Sequence, residues 1–167
     1  NRIDYQHATR PLVSILIQHK DQLAALQRCV ELLLEKTAYS HYEILIIDNG
    51  STSADACAWL EGMAQVGGDK VRVIYTPASD NAAQLYNLGA QQARGEYLLM
   101  LTPYAVITQP QWLDALLNHA QRAEVGAVSG KWFNPDGVVI HAGMTLGLQG
   151  PAGLHFFGES ARADGYM

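Results

Sequence analysis

The chain has 167 residues, 49% of them hydrophobic, and a net charge of -5 spread along its length. That suffices for one substantial core and not for two comfortable ones, and the lack of a Lys/Arg cluster excludes a domain that tracks a nucleic-acid backbone. No apolar run approaches the roughly 18 residues of a membrane span and no signal-peptide pattern opens the chain, so a soluble, cytoplasmic protein is expected.

A polar leader, residues 1–10, precedes Pro11 and VSILI (13–17), a continuous apolar run that suits a strand covered on both faces. Leu23, Leu26, Val30, Leu33 and Leu34 then recur at helical spacing, with Asp21 as the expected N-cap. YEILII (42–47) repeats the buried-strand signature and runs into DNGSTS, where Thr52 and Asp55 have capping-box spacing for a helix through Trp59 and Met63. VRVIY (71–75) predicts a third strand, followed by a loop around Asn81 and a helix to about Arg94.

EYLLMLTPYAVI (96–107) reads as a fourth, buried strand that breaks at Pro103. A helix starting near Pro110 carries Trp112, Leu113, Leu116 and Leu117, and VGAVSG (125–130) predicts a fifth strand. PDG (135–137) is a tight turn; VVIHAG follows, then GLQGPAG, too rich in glycine to assign. Such alternation predicts an α/β fold, a mostly parallel sheet with helices on both faces joined by right-handed crossovers. The chain starts at Asn1 and stops after ESARADGY without a closing element, and it reads as a piece of something longer.

In a sheet of this kind ligands bind beyond the carboxyl ends of the strands. The first strand is followed by QHKD, so a dinucleotide-binding glycine fingerprint is missing where it would have to stand, and no P-loop motif occurs. The six histidines show no HxH or HExxH spacing, and the two cysteines, Cys29 and Cys57, fall in helix-like stretches without CxxC spacing. A zinc site is therefore not expected, and the cysteines read as buried thiols of a reducing compartment.

Asp48 ends a strand that is entirely apolar from Ile44 to Ile47. A carboxylate there either accepts from the backbone of Gly50 or Ser51 as a turn residue, or accepts from a sugar hydroxyl or base N–H. Residue type alone favours the turn. Asn81 reads as a helix cap and Asn87 as a half-buried polar residue, both without a ligand. His141, beside Ala142-Gly143, could approach a ligand closely, although a satisfied structural histidine is the commoner outcome.

In order, PLVSILIQHKD, LLEKTAYSHYEILIIDNGST, NAAQLYNLGAQQARGEYLLML and VGAVSGKWFNPDGVVIHAGMTLGL resemble the inverting family 2 glycosyltransferases of the GT-A fold, above all bacterial members that build polysaccharides and O-antigens. The resemblance runs from residue 11 to about 165 and implies a Rossmann-like nucleotide-sugar-binding domain over 11–167, ending before the acceptor-side segment. It implies a donor of the UDP- or dTDP-sugar type and a glycan or lipid-linked acceptor. Gln18, His19 and Lys20 occupy the location of the family's Pro-Thr-Tyr-Asn type turn on the nucleotide. Asp48 falls on the aspartate that holds the base, which reverses the odds drawn from residue type, Ser51 lies near the ribose, and Asn81 and Asn87 match asparagines lining the donor pocket.

The fourth strand departs from the pattern. Family members end it with carboxylates that hold magnesium or manganese against the sugar diphosphate; here Tyr104 and Val106 stand at those positions. Hydroxyls of Thr102 and Tyr104 cannot build a hard oxygen cage alone, so the implied metal site lacks its ligands. Charge on the leaving diphosphate must then be met by Lys20, Lys131 or a helix N-terminus. The catalytic base of the family comes from beyond about residue 165, and none is named here. The resemblance thus leaves two readings open, a transferase with an altered diphosphate site and a degenerate transferase-like binding or scaffold domain of a larger protein.

Overall fold

A computed structural model describes residues 3–147, 152–154 and 156–160. The chain divides into a larger unit, Gln6–Asp114, and a smaller one that joins the residues up to Tyr5 to those from Ala115 onward.

The larger unit is built on four strands, β1 (Val13–His19), β2 (Tyr42–Asn49), β3 (Val71–Thr76) and β4 (Tyr97–Leu101), in the order β3-β2-β1-β4. Every pairing is parallel, with Ile15 opposite Ile44 and Leu99 and with Ile44 opposite Val71. The apolar runs of β1 and β2 are buried almost residue for residue, as two-sided burial requires.

Alternation along the strands sends their side chains to two separate layers. On one face Leu16, Leu45, Ile47 and Ile74 pack with Leu85 of α3 (Ala82–Gln92). That helix approaches closely because Gly89 has no side chain: a Cβ there would stand 2.5 Å from Ile47 Cδ1. On the other face α1 (Leu23–Lys36) buries Leu26, Cys29, Val30 and Leu33, and the Tyr42 hydroxyl donates to Leu33 O across the layer. The helix α2 (Ala54–Val66) follows β2 and buries Ala56 and Leu60.

Three local expectations change. Asp21 does not cap α1, whose N-cap is Gln22 without a side-chain bond. Its backbone sits at φ 58°, which an aspartate tolerates, and its carboxylate accepts instead from the N–H groups of Thr52 and Ser53, each at 2.8 Å. Asp21 thereby pins the turn that leads into α2 from a distant loop, and the expected Thr52–Asp55 box gives way to an N-cap at Ser53 that makes no side-chain bond.

The second change is at β4, which is an edge strand rather than a buried one: Leu98 is 45% and Met100 58% exposed. It pairs with β1 alone among the described strands.

The third lies in the smaller unit, where residues 125–130 form no strand. Gly126 and Gly130 have nothing within 4 Å of where a Cβ would be, so the segment lacks the packed side chains a strand depends on. The turn at PDG is present: Gly137, at φ 77°, donates to Asn134 O, and Asn134 N donates to Val138 O. It joins β5 (Trp132–Phe133) to β6 (Val139–His141) as an antiparallel pair. A second pair, β7 (Met144–Leu146) with β8 (Ala152–Leu154), takes up part of the glycine-rich stretch, of which residues 148–151 lie outside the described residues. The last long helix, α4 (Trp112–Ala120), buries Leu113 and Leu117. No described helix is long and apolar enough to cross a membrane.

Candidate functional site

The sheet order reverses between β1 and β4: the chain leaves β1 for β2 on one side and reaches β4 on the other only after β3. At such a switch point the flanking loops diverge and open a crevice beyond the strand ends. A cleft of about 270 Å³ lies there, lined by Gln18 and His19 at the end of β1, Lys20 and Gln22 after it, Asn49 at the end of β2, Tyr86 of α3, and Thr102 and Pro103 after β4.

Much of this lining is tied into the scaffold. Gln18 Nε2 donates to Ala82 O at 2.6 Å, fixing the first turn of α3 to β1. Asn49 clips the loop before α3 by two bonds, donating to Ser79 O at 2.9 Å and accepting from Ser79 N at 2.7 Å. Asn81 then caps α3 by accepting from Gln84 N, as the residue-level reading expected. Asn87 is exposed rather than half-buried, because the helix turns Tyr86 toward the cleft and its successor away.

Asp48 and Asn49 are neighbours on one strand, so they face opposite sides of the sheet. Asn49 takes the cleft side. Asp48 is 5% exposed, is not among the cleft-lining residues, and makes the turn bonds of the plainer reading: Oδ1 accepts from Ser51 N at 3.2 Å and from the Ser51 hydroxyl. That hydroxyl also accepts from Asp21 N, so Ser51 joins the β2 turn to the β1 turn. Oδ2 has only a 3.3 Å bond from Ser51 N and retains accepting capacity.

His19 is 2% exposed and neither ring nitrogen has a hydrogen-bond partner. Burial lowers its pKa, against the opposing pull of the Asp48 and Asp21 carboxylates. Lys20 is exposed at the cleft rim and makes no ion pair among the described residues. Beneath the far wall the Cys29 thiol points at Thr102 O, and burial pushes it up to about 11, which leaves it an inert core group.

At the corner after β4, Pro103, Ala105 and Ile107 are buried while Thr102, Tyr104 and Val106 face out. The i, i+2 spacing that would hold a cation between two carboxylates is thus kept, but the outward groups are a hydroxyl, a phenol and an isopropyl. No carboxylate lines the cleft, and no three His, Cys, Asp or Glu side chains converge as a metal cage among the described residues. This donor set does not fit magnesium or manganese. Lys131 and His141 belong to the smaller unit, where Lys131 is exposed and His141 stands opposite Trp132 in the β5–β6 pair.

Sequence reasoning missed Asn49, Gln22, Tyr86 and Pro103. For Asn49 a signal existed, since strand alternation assigns Asp48 and its successor to opposite faces.

A parallel sheet with a cleft at its switch point defines a doubly wound α/β protein, a class that binds its ligands at that edge. The chain belongs to glycosyl transferase family 2, whose pattern it matches over residues 14–159. It is 38% identical over 156 residues to the O-antigen biosynthesis protein RfbC of Myxococcus xanthus, covering 93% of this chain and 12% of that protein. It is likewise 38% identical over 154 residues to the uncharacterized protein y4gI of Sinorhizobium fredii, covering 90% of this chain and 17% of the relative. The chain therefore spans less than a fifth of either protein. Its fold is that of the mannosyltransferase PcManGT of Pyrobaculum calidifontis, solved in complex with GDP-Man and Mn2+, with a TM-score of 0.64 at 16% identity over 71% of this chain and 35% of that one.

Proposed function

We propose that this chain is the donor-binding part of an inverting glycosyltransferase that moves a sugar from a nucleoside-diphosphate sugar, of the uridine or deoxythymidine type, to a glycan or lipid-linked acceptor, and that it holds the diphosphate without a divalent cation. The observation that carries this reading is the lining of the switch-point cleft, in which, among the described residues, Lys20 is the one charged side chain and every other polar group is neutral or, in His19, titratable. A cleft without carboxylates repels neither phosphate, and Lys20 with the amide of Gln22 and the Thr102 hydroxyl offers donors to both. Asp48 stays with the Ser51 turn on the other side of the sheet, and Ser51 and Asn81 shape the loops beside the cleft. The name of the RfbC relative supports a polysaccharide-type acceptor.

Calorimetric titration with UDP-glucose, dTDP-glucose and GDP-mannose, each with manganese and with EDTA, tests the proposal. At least one ligand is expected to bind with the same affinity in both conditions. A requirement for manganese would overturn the cation-free diphosphate site. Absence of binding by all three would favour the second reading, a degenerate scaffold domain, for which the replacement of acidic residues by Tyr104 and Val106 speaks.

A further inference from the structure

Among the described residues that border the cleft, His19 is the one with buried side-chain nitrogens that have no hydrogen-bond partner. A neutral imidazole has one donor and one acceptor to satisfy, and here both nitrogens are buried with neither satisfied. Its position is central. It closes β1, the middle of the three strands that border the cleft, stands level with Asp48 in the β1–β2 register, and lies two residues beyond the Ile17–Leu101 pair that ends the β1–β4 register.

We propose that His19 is neutral in the free protein and takes up a proton from solvent when a nucleoside-diphosphate sugar binds, so that an imidazolium supplies positive charge which the cleft's side chains cannot recruit from a metal ion. This rests on the reading of the cleft as a nucleotide-sugar site. The change is a binding step: one proton arrives at a ring nitrogen and no bond of the ligand breaks.

The surroundings make the ring poised rather than fixed. Two carboxylates act on it, Asp48 from β2 and Asp21 from the loop after β1, and both favour the charged form. Lys20, next in the chain, is the cation of the cleft lining. The elements packed around this end of β1 add neutral groups: Tyr86 from α3, the Cys29 thiol from α1, and the Cys57 thiol from α2, whose sulfur contacts Ser51 O. Burial holds the ring neutral against the two carboxylates, and the added negative charge of a diphosphate shifts the balance toward the imidazolium.

Titrating the protein with UDP-glucose, dTDP-glucose and GDP-mannose in EDTA, in phosphate and in Tris at the same pH, reads the proton directly from the difference in heat. The phosphates of these ligands are diesters and do not titrate near neutrality, so any proton taken up belongs to the protein. The expected result at pH 7 is uptake of about one half to one proton per ligand, with affinity falling by up to about tenfold per pH unit on the alkaline side. His19→Gln is expected to abolish the uptake and flatten the pH profile. Asp21→Asn, which keeps an acceptor for the Thr52 and Ser53 N–H groups, is expected to reduce the uptake. Binding with equal heats in both buffers would overturn the role of His19 while leaving the nucleotide-sugar site standing, as would undiminished uptake in His19→Gln. If that variant does not fold, the wild-type buffer pair and Asp21→Asn still decide. Failure of all three ligands to bind would remove the site itself and this inference with it.

Discussion

Replacing Glu43 with alanine is expected to remove about 3–5 kcal/mol of folding stability, measured by urea denaturation at pH 7. Glu43 is 2% exposed in the middle of a parallel sheet, where an unpaired carboxylate could not persist. Its partners converge from three elements: the Ser14 hydroxyl of β1 at 2.7 Å, the Arg94 N–H before β4 at 2.8 Å, and the Arg72 guanidinium of β3 at 2.8 Å. Gly95 N in turn donates to Ser14 Oγ, and Gly95 has to be glycine because a Cβ would stand 2.6 Å from Ser14 N. Truncation at Glu43 leaves Arg72 half-buried beside a void and strands the Ser14 and Arg94 donors, so the loss exceeds the worth of any single bond.

Burial by itself raises the pKa of Glu43, but the bonds from Arg94 N–H, Ser14 and Arg72 outweigh it and hold the carboxyl below its ordinary value. A carboxyl depressed in the folded state stabilises fully above its unfolded value, about 4.3, and loses that contribution as pH falls through the lower folded value. The stability gap between the native protein and Glu43→Gln should therefore be widest at neutral pH and shrink in acid. A loss below about 1 kcal/mol for the alanine variant, or a gap independent of pH, would mean that the network is ornamental.

The same buried strands explain what the sequence made legible. VSILI and YEILII have no polar face, so only a covered parallel sheet could accept them, and the helix between them, α1, follows from leucine spacing. YLLML looks equally apolar, yet Leu98 and Met100 are exposed. Composition cannot distinguish a central strand from an edge, because that depends on which neighbours arrive. VGAVSG failed for a different reason: β-prone valines alternate with residues too small to pack. A cleft opens beside the loops after β1 and β4 that the sequence marks for inspection, but which of their side chains are consumed as scaffold is not visible in it. Gln18 and Asp21 reach partners more than thirty positions away, Ala82 and Thr52, and no local spacing encodes such bonds.

Asn49→Ala is expected to lower donor affinity at least tenfold while costing only about 1–3 kcal/mol of stability, because it breaks a clip rather than the core. Asn49 holds Ser79 by a donor and an acceptor at once. The Ser79 hydroxyl accepts from Asn81 N, and Asn81 caps α3, so the clip passes its geometry along the loop to the helix that carries Tyr86 into the cleft. Gly50 lets this loop lie close: it sits at φ 66°, and a Cβ on it would stand 2.7 Å from Ala78 N. With the clip gone, the segment 77–81 is held at its far end by the Gln18 bond to Ala82 and little else. Local opening should then become cheaper than global unfolding, and amide exchange and proteolysis within 77–81 should rise well before the urea midpoint moves. Asn49→Asp separates the two halves of the clip. It keeps an acceptor for Ser79 N, places a negative oxygen against Ser79 O, and puts a carboxylate into the cleft. Its affinity for nucleotide sugars in EDTA should fall further than that of the alanine variant. If the aspartate variant instead bound more tightly once manganese was added, the cleft would have been one carboxylate away from a cation site, and the loss of acidic residues after β4 would be the feature that keeps the ion out.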